Sequence, residues 1–425
     1  SAGASLDAGS NYNVFIGEGV SDASMNDATK NVGVGYQALS ALTTGDNNTA
    51  VGYNAVESNT TGHSNSAVGS KALASNTEGD SNTAVGRYSL LNNTTADYNT
   101  AVGRSSLQET TTGASNTAVG YQALYVNTTA DNNTAVGFNA LNANTTGNNN
   151  VAVGQGALDV NTTAHNNTAV GTQSLSANVE GTANTAVGYA SLETNTASNN
   201  TAVGFTALNA NTTGDYNTAI GMESLLTNIG GAQNTAVGRA ALKLNESGTY
   251  NVGVGDVALT ANTSASYNTA VGTSALFSNT TGYNNVAIGY QSMYNNETGE
   301  TKSTAVGHKS MFTQTTGNSN VAVGDRALYT SNGNRNTGVG YVAGYDITSG
   351  SNNLCLGNFA GRANAPGGTV TSGDNQVCIG DENVANAHIQ VDWTIASDQR
   401  DKTDFTALDL GLDFVKDLNP VTYKW

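Results

Sequence analysis

The sequence predicts an all-β fold: a parallel β-solenoid, or β-roll, of about twenty-two 17-residue coils, followed by a short α+β fragment at the C-terminus. Three observations predict it. A glycine recurs every seventeen residues through long stretches of the chain, as at Gly52, Gly69, Gly86, Gly103, Gly120 and Gly137. One site of each unit after the first accepts only Ala, Gly or Cys. The stretches between are rich in Asn, Thr, Asp and Gly, residues that tolerate left-handed backbone or make their own side-chain turns.

The unit is read most simply from Asn116 to Asn132, N-T-A-V-G-Y-Q-A-L-Y-V-N-T-T-A-D-N. Its second site takes Thr, Val, Ser or Leu (Thr49, Val32, Ser66, Leu354) and, after the first unit, its third only Ala, Gly or Cys (Ala50, Gly33, Cys355). The fourth is Val, Ile or Leu (Val51, Ile220, Leu356). Successive side chains of a strand point to opposite faces. The second and fourth sites therefore share one face, while the third looks into a confined space, within the coil or at an axis between chains. After the glycine comes a second small-plus-large pair, as in Ala72-Leu73, Ser89-Leu90, Ala123-Leu124 and Ser292-Met293. A 17-residue unit is too short for the common helical repeats and has no 3.6-residue apolar face. Two short strands and two turns fit it. Stacked in parallel at about 4.8 Å per coil, such units span on the order of 100 Å, and each completes its core only with its neighbours.

Along the chain, residues 1–16 read as an atypical opening coil and 17–357 as the regular shaft. Residues 358–396 read as a transition, where the loop from Arg362 to Thr371, with Pro366, enlarges one coil before Gly380. His388 to Ile395 alternates as a strand. Within residues 404–418, Leu408, Leu412, Val415 and Leu418 have helical spacing, ended by Pro420. The chain begins at Ser1 without a signal-peptide pattern, so it reads as a fragment or processed product.

Composition excludes several functions. Acidic residues number 32 against 15 basic, a net charge of −17 with no basic stripe, which argues against nucleic acid or anionic membrane as partners. No apolar run reaches the length of a membrane span, and no cofactor or calcium-solenoid motif is present. Cys355 and Cys378 are too few for a disulfide framework or a metal site. Both occupy the small third site and read as buried free thiols replacing alanine.

Asp46, Asp80, Asp97, Asp131 and Asp215 recur at one turn and give way to Asn, Ser or His, which marks turn formation rather than a glycosidase pair. His63, His165, His308 and His388 lack ligand spacing. The tyrosines after the glycine (Tyr36, Tyr53, Tyr121, Tyr189, Tyr290, Tyr341) read as solvent-facing or inter-chain packing residues, and the N-T-T triplets as turns.

The tandem Asn-x-Ala-Val/Ile-Gly block resembles the head repeats of trimeric autotransporter adhesins, and its longer form resembles repeats of tail-fibre-type proteins. That resemblance implies left-handed β-rolls packed three to a trimer. The C-terminus carries a second resemblance. Ser397-Asp398-Gln399-Arg400-Asp401-Lys402, Leu410-Gly411-Leu412-Asp413-Phe414-Val415 and Asn419-Pro420-Val421-Thr422-Tyr423-Lys424-Trp425 are similar to the start of the endosialidase-type intramolecular chaperone. The family implies trimerisation, then self-cleavage after Ala396 with Ser397 as nucleophile and Lys402 as its partner. Asp398 and Arg400 complete the motif, and Asp401 stands where the family has an apolar residue. A lysine serves as base when desolvation or a neighbouring cation such as Arg400 favours its neutral form.

The resulting expectation is a structural fibre, not an enzyme apart from that single-turnover cut. It is a homotrimeric shaft of a viral tail fibre, on the virion and extracellular, partnered by a host-surface receptor (glycan or protein) and other tail proteins. A bacterial trimeric adhesin is the second reading. An ice-binding solenoid is the third, and it requires a flat, exposed Thr face; swaps of the second-site Thr to Val and Leu predict instead that this Thr faces inward.

Overall fold

A computed structural model describes residues 9–297 and 302–386. The chain divides into two units, Ser1–Glu382 and Asn383–Trp425. The expected strand at 388–395, the helix within 404–418, and Ala396, Ser397, Asp398, Arg400, Lys402 and His388 lie outside the described residues.

The first unit is a parallel β-solenoid of twenty-two three-residue strands, from β1 (Val14–Ile16) through β7 (Thr117–Val119) to β21 (Leu354–Leu356) and β22 (Val377–Ile379). Each strand pairs in parallel with the equivalent strand of the next coil, so that Thr117 sits beside Thr134, Ala118 beside Ala135 and Val119 beside Val136. The register survives the coil of 23 residues, where Leu354 pairs with Val377 and Cys355 with Cys378.

Each coil holds one strand, not two. The second small-plus-large pair lies in turns, because its large residue adopts the left-handed region: Leu124 has φ +50° and Leu141 φ +52°. Such a conformation costs about 1–3 kcal/mol in a non-glycine residue. Full burial of a leucine side chain contributes about 1.5–3 kcal/mol, and Leu124 is fully buried. Its N–H also donates to the Ala140 carbonyl of the next coil at 3.0 Å. Burial and that inter-coil bond together offset the strain.

Hydrogen bonds between coils run in both directions. From one coil, Thr117 N donates to Asn133 O (2.8 Å) and Val126 N to Asn142 O (3.0 Å) of the next, while Gly120 N donates to Val102 O (2.8 Å) of the preceding one. The block glycine is required by space as well as by φ +140°: a Cβ on Gly120 would lie 2.3 Å from the Gly137 carbonyl oxygen.

The third-site side chains face the core of their own coil, the first of the two expected locations. Ala118, Ala123 and Leu124 are fully buried and belong to one core running the length of the solenoid. The room is small: a methyl added to Gly338 would lie 2.8 Å from Leu328 Cγ and 2.9 Å from Ala343 O. Cys355 fits because the large site is empty on both sides of it. Gly344 and Gly361 stand where other coils carry leucine, and a Cβ on Gly361 would meet Cys355 Sγ at 2.7 Å.

Two buried asparagine ladders complete the interior. Asn116 N donates to Asn99 Oδ1 at 2.9 Å and Asn116 Nδ2 to Ala130 O at 2.8 Å. Asn144 Nδ2 donates to Asn127 Oδ1 at 3.0 Å, and Asn127 Nδ2 to Ala130 O at 3.0 Å. Buried amides are tolerated because they are hydrogen-bonded.

Candidate functional site

The surface least explained by the needs of a single coil is the outer face of the strands. With the third site inward, the second and fourth sites point out. The expectation that the second-site Thr faces inward is therefore corrected: alternation sends the methyl-sized site to the core and leaves Thr half-buried outside. Thr83, Thr100, Thr117 and Thr134 form one uninterrupted ladder on this face. Beside it runs the fourth-site ladder, in which Val51, Val68, Val85, Val102 and Val119 are 36–45% exposed. None of the twenty-two strands carries a charged residue.

Strand spacing and rise give this strip dimensions of roughly 100 by 7 Å, or about 700 Å². That area is close to the ~800 Å² per partner of a stable protein interface.

The turn acids prove to be inter-coil acceptors. Asp46 Oδ1 accepts from Thr29 N at 2.6 Å, His63 Nδ1 from Asp46 N at 2.9 Å, Asp80 Oδ1 from His63 N at 2.6 Å and Asp97 Oδ1 from Asp80 N at 2.7 Å. Asp131 and Asp215 do the same for Ala114 and Ser198. Asp, Asn, Ser and His interchange there because each presents an acceptor at the same reach. His165 fills this place toward Asn148, whereas His308 sits over Tyr290 and beside Asp325.

Many of the aromatic side chains stack on one another between coils, while others, such as Tyr98 and Tyr216, stand exposed. Tyr36–Tyr53 and Tyr121–Phe138 pair with centroids 5.4 Å apart. Phe277, Tyr294, Phe312, Tyr329 and Tyr345 form a five-ring ladder at 4.8–5.3 Å, capped by Arg362 over Tyr345. Cys355 and Cys378 are buried free thiols on adjacent coils. Burial, with Cys378 beside it, pushes the Cys355 thiol up to about 12. Among the described residues, no group of three or more His, Cys, Asp or Glu is placed to hold a metal, and no helix is long and apolar enough to cross a membrane.

A repetitive β-solenoid with an uncharged outer strip is the class these features define. The comparison with known families adds the second part. A family model described as the chaperone of endosialidase matches residues 397–425. None of the curated proteins compared with the chain matches it. A long β-solenoid joined to a segment similar to that chaperone fits a phage tail-fibre protein.

One feature escaped the sequence reading altogether. Asp159 lines a surface groove with Phe138, Asn139, Gly156 and Gln173. Its signal in the sequence is a glycine at the seventh site of a coil and an aspartate at the tenth, a combination shared only with Gly19 and Asp22 near the start of the chain, where Asp22 is exposed.

Proposed function

We propose that the protein is the shaft of a homotrimeric viral tail fibre, carried on the virion outside the cell, where it contributes to host attachment alongside other tail proteins. The observation that carries this reading is the chaperone-like segment directly C-terminal to a solenoid with an uncharged Thr/Val face. Two further copies of the chain would cover that face. In this reading residues 17–357 are the regular shaft, and residues 397–425 begin the trimerisation chaperone.

The chaperone then removes itself. Lys402 takes the hydroxyl proton as Ser397 Oγ attacks the Ala396 carbonyl and returns it to the departing Ser397 nitrogen, so that an ester to Oγ replaces the amide and the Ser397 amine is freed. Water hydrolyses the ester and leaves Ala396 as the C-terminus of the shaft. Mass spectrometry of the full-length gene product tests this step. A shaft chain ending at Ala396, and an uncut chain in the Ser397→Ala variant, are expected. A wild-type chain that stays intact through Trp425 would refute the cleavage.

The outward Thr ladder favours a second reading, an ice-binding solenoid, since ice-binding requires a flat Thr face. The first reading is preferred because Val, Ile or Leu holds the fourth site throughout and Val151, Val252 and Val286 interrupt the Thr ladder. Thermal hysteresis in the intact protein would favour the second reading; its absence favours the first.

A further inference from the structure

The seventh and tenth sites of each coil form a side-chain ridge on the surface away from the strands. In several coils the polar groups of this ridge bond to one another or to the neighbouring coil, and a tenth-site carboxylate there finds an amide. Glu57 Oε2 accepts from Asn54 Nδ2 at 2.5 Å, and Glu193 Oε2 accepts from Asn209 Nδ2 at 2.8 Å. Donors at the tenth site reach back to the preceding coil, as Asn142 Nδ2 does to Gln122 O at 3.0 Å and Thr260 Oγ1 to Ala240 O at 2.9 Å.

Asp159 breaks this pattern. It stands at the tenth site, where Glu57 and Glu193 stand in their coils, but the seventh site of its own coil is Gly156. The amide that serves Glu57 is therefore missing. Asp159 Oδ1 is buried without a hydrogen-bond partner, and Asn139 Oδ1, in the same groove, is also buried and unpartnered. Asn54 Oδ1 is left in the same way at the seventh site of another coil, but Asp159 is the one carboxylate so placed among the described residues, and a buried carboxylate oxygen without a donor calls for an explanation. Burial raises the Asp159 carboxyl from its usual range, against the smaller opposing effect of hydrogen bonding from the Asp159 and Val160 backbone N–H groups.

Packing does not require the glycine. A Cβ on Gly156 would meet only Asp159 Oδ2, at 3.8 Å. Gln122 and Gln173 hold the same site in nearby coils at φ +51° and +59°, beside +63° for Gly156. The missing side chain, with small Ser176 and Ala177 beside it, opens a groove of about 540 Å³, within the roughly 300–1,000 Å³ of small-molecule sites. Phe138, half-exposed, stacks on Tyr121 and ends that pair, because Gln155 follows it in the next coil.

We propose that this groove binds a neutral pyranose unit of a cell-surface glycan. Sugar hydroxyls supply the donors that Asp159 and Asn139 lack and accept from the Gln155 and Gln173 amides. A protonated amine could only donate. The ring of Phe138 offers an apolar edge for the sugar's C–H face. An anionic sugar is disfavoured, since no cation lines the groove and the chain carries a net charge of −17. The groove draws on none of the strand residues. That the sugar belongs to a host surface rests on the attachment reading above; that the groove binds it does not.

Saturation-transfer NMR on the full chain tests the site, using methyl glucoside, galactoside and mannoside with a sialoside and methylamine as counter-probes. The expected result is transfer to at least one neutral pyranoside and none to the sialoside or methylamine. Gly156→Gln refills the gap with a residue that nearby coils already accommodate and is expected to weaken binding at least tenfold. Asp159→Leu is expected to do the same, and unchanged circular dichroism shows that both variants fold. No transfer to any neutral pyranoside, equal transfer to a counter-probe, or binding unchanged in both variants would overturn the proposal. If the pyranoside binds but host adsorption is the same with Gly156→Gln, the groove stands and attachment through it fails.

Discussion

A methyl group decides the fate of several positions in this chain. At Gly120 it would fall 2.3 Å from a backbone oxygen of the next coil, in a left-handed conformation no alanine adopts readily. Gly120→Ala is therefore expected to cost at least about 1–3 kcal/mol, read as faster amide exchange in the coils on either side. Leu124→Ala opens a cavity in a closed core and is expected to cost about 2–5 kcal/mol in thermal or denaturant unfolding. The cysteines give a prediction with a chemical readout. With its thiol pushed from 9.0 up to about 12, Cys355 carries about a thousandfold less thiolate at pH 8 than an unperturbed cysteine, and the thiolate is the reactive form. Iodoacetamide should leave Cys355 unlabelled in the folded protein and label it after denaturation; rapid labelling of the folded chain would contradict its burial.

At the scale of the coil, the sequence showed the period, the single small site and the parallel stacking, because those are properties of which residues recur. It did not show how many strands a coil holds. Ala123-Leu124 looks like the strand pair Ala118-Val119 in composition, and only the left-handed φ of Leu124 separates them. The outward face of Thr117 was misread for a related reason: swaps to Val and Leu suggest burial, although in a single coil they mark a surface. Asp159 was invisible because its oddity is a missing neighbour, Gly156, rather than a motif. Of the proposed cleavage site, only the residue types were legible. The strand face has its own test: Val102→Glu with Val119→Glu places charge on adjacent coils without entering the core. The double variant should keep its β-sheet circular dichroism and fail to form trimers in sedimentation; normal trimers would place the interface elsewhere.

Over the whole solenoid, the repeated coil acts as a set of nearest-neighbour interfaces, so stability accrues coil by coil and the terminal coils are the first to open. The in-register ladder of twenty-two strands turns one uncharged strand face into a continuous strip, while the net charge of −17 per chain opposes lateral clumping. Three such strips facing one another would bury the apolar face and leave the charged turns and the Asp159 groove outside. Sedimentation combined with small-angle scattering of the full-length product tests this most directly. The account predicts a rod with the mass of three chains whose solenoid contributes on the order of 100 Å to its length. A particle with the mass of one chain, its strand face open to solvent, would contradict it.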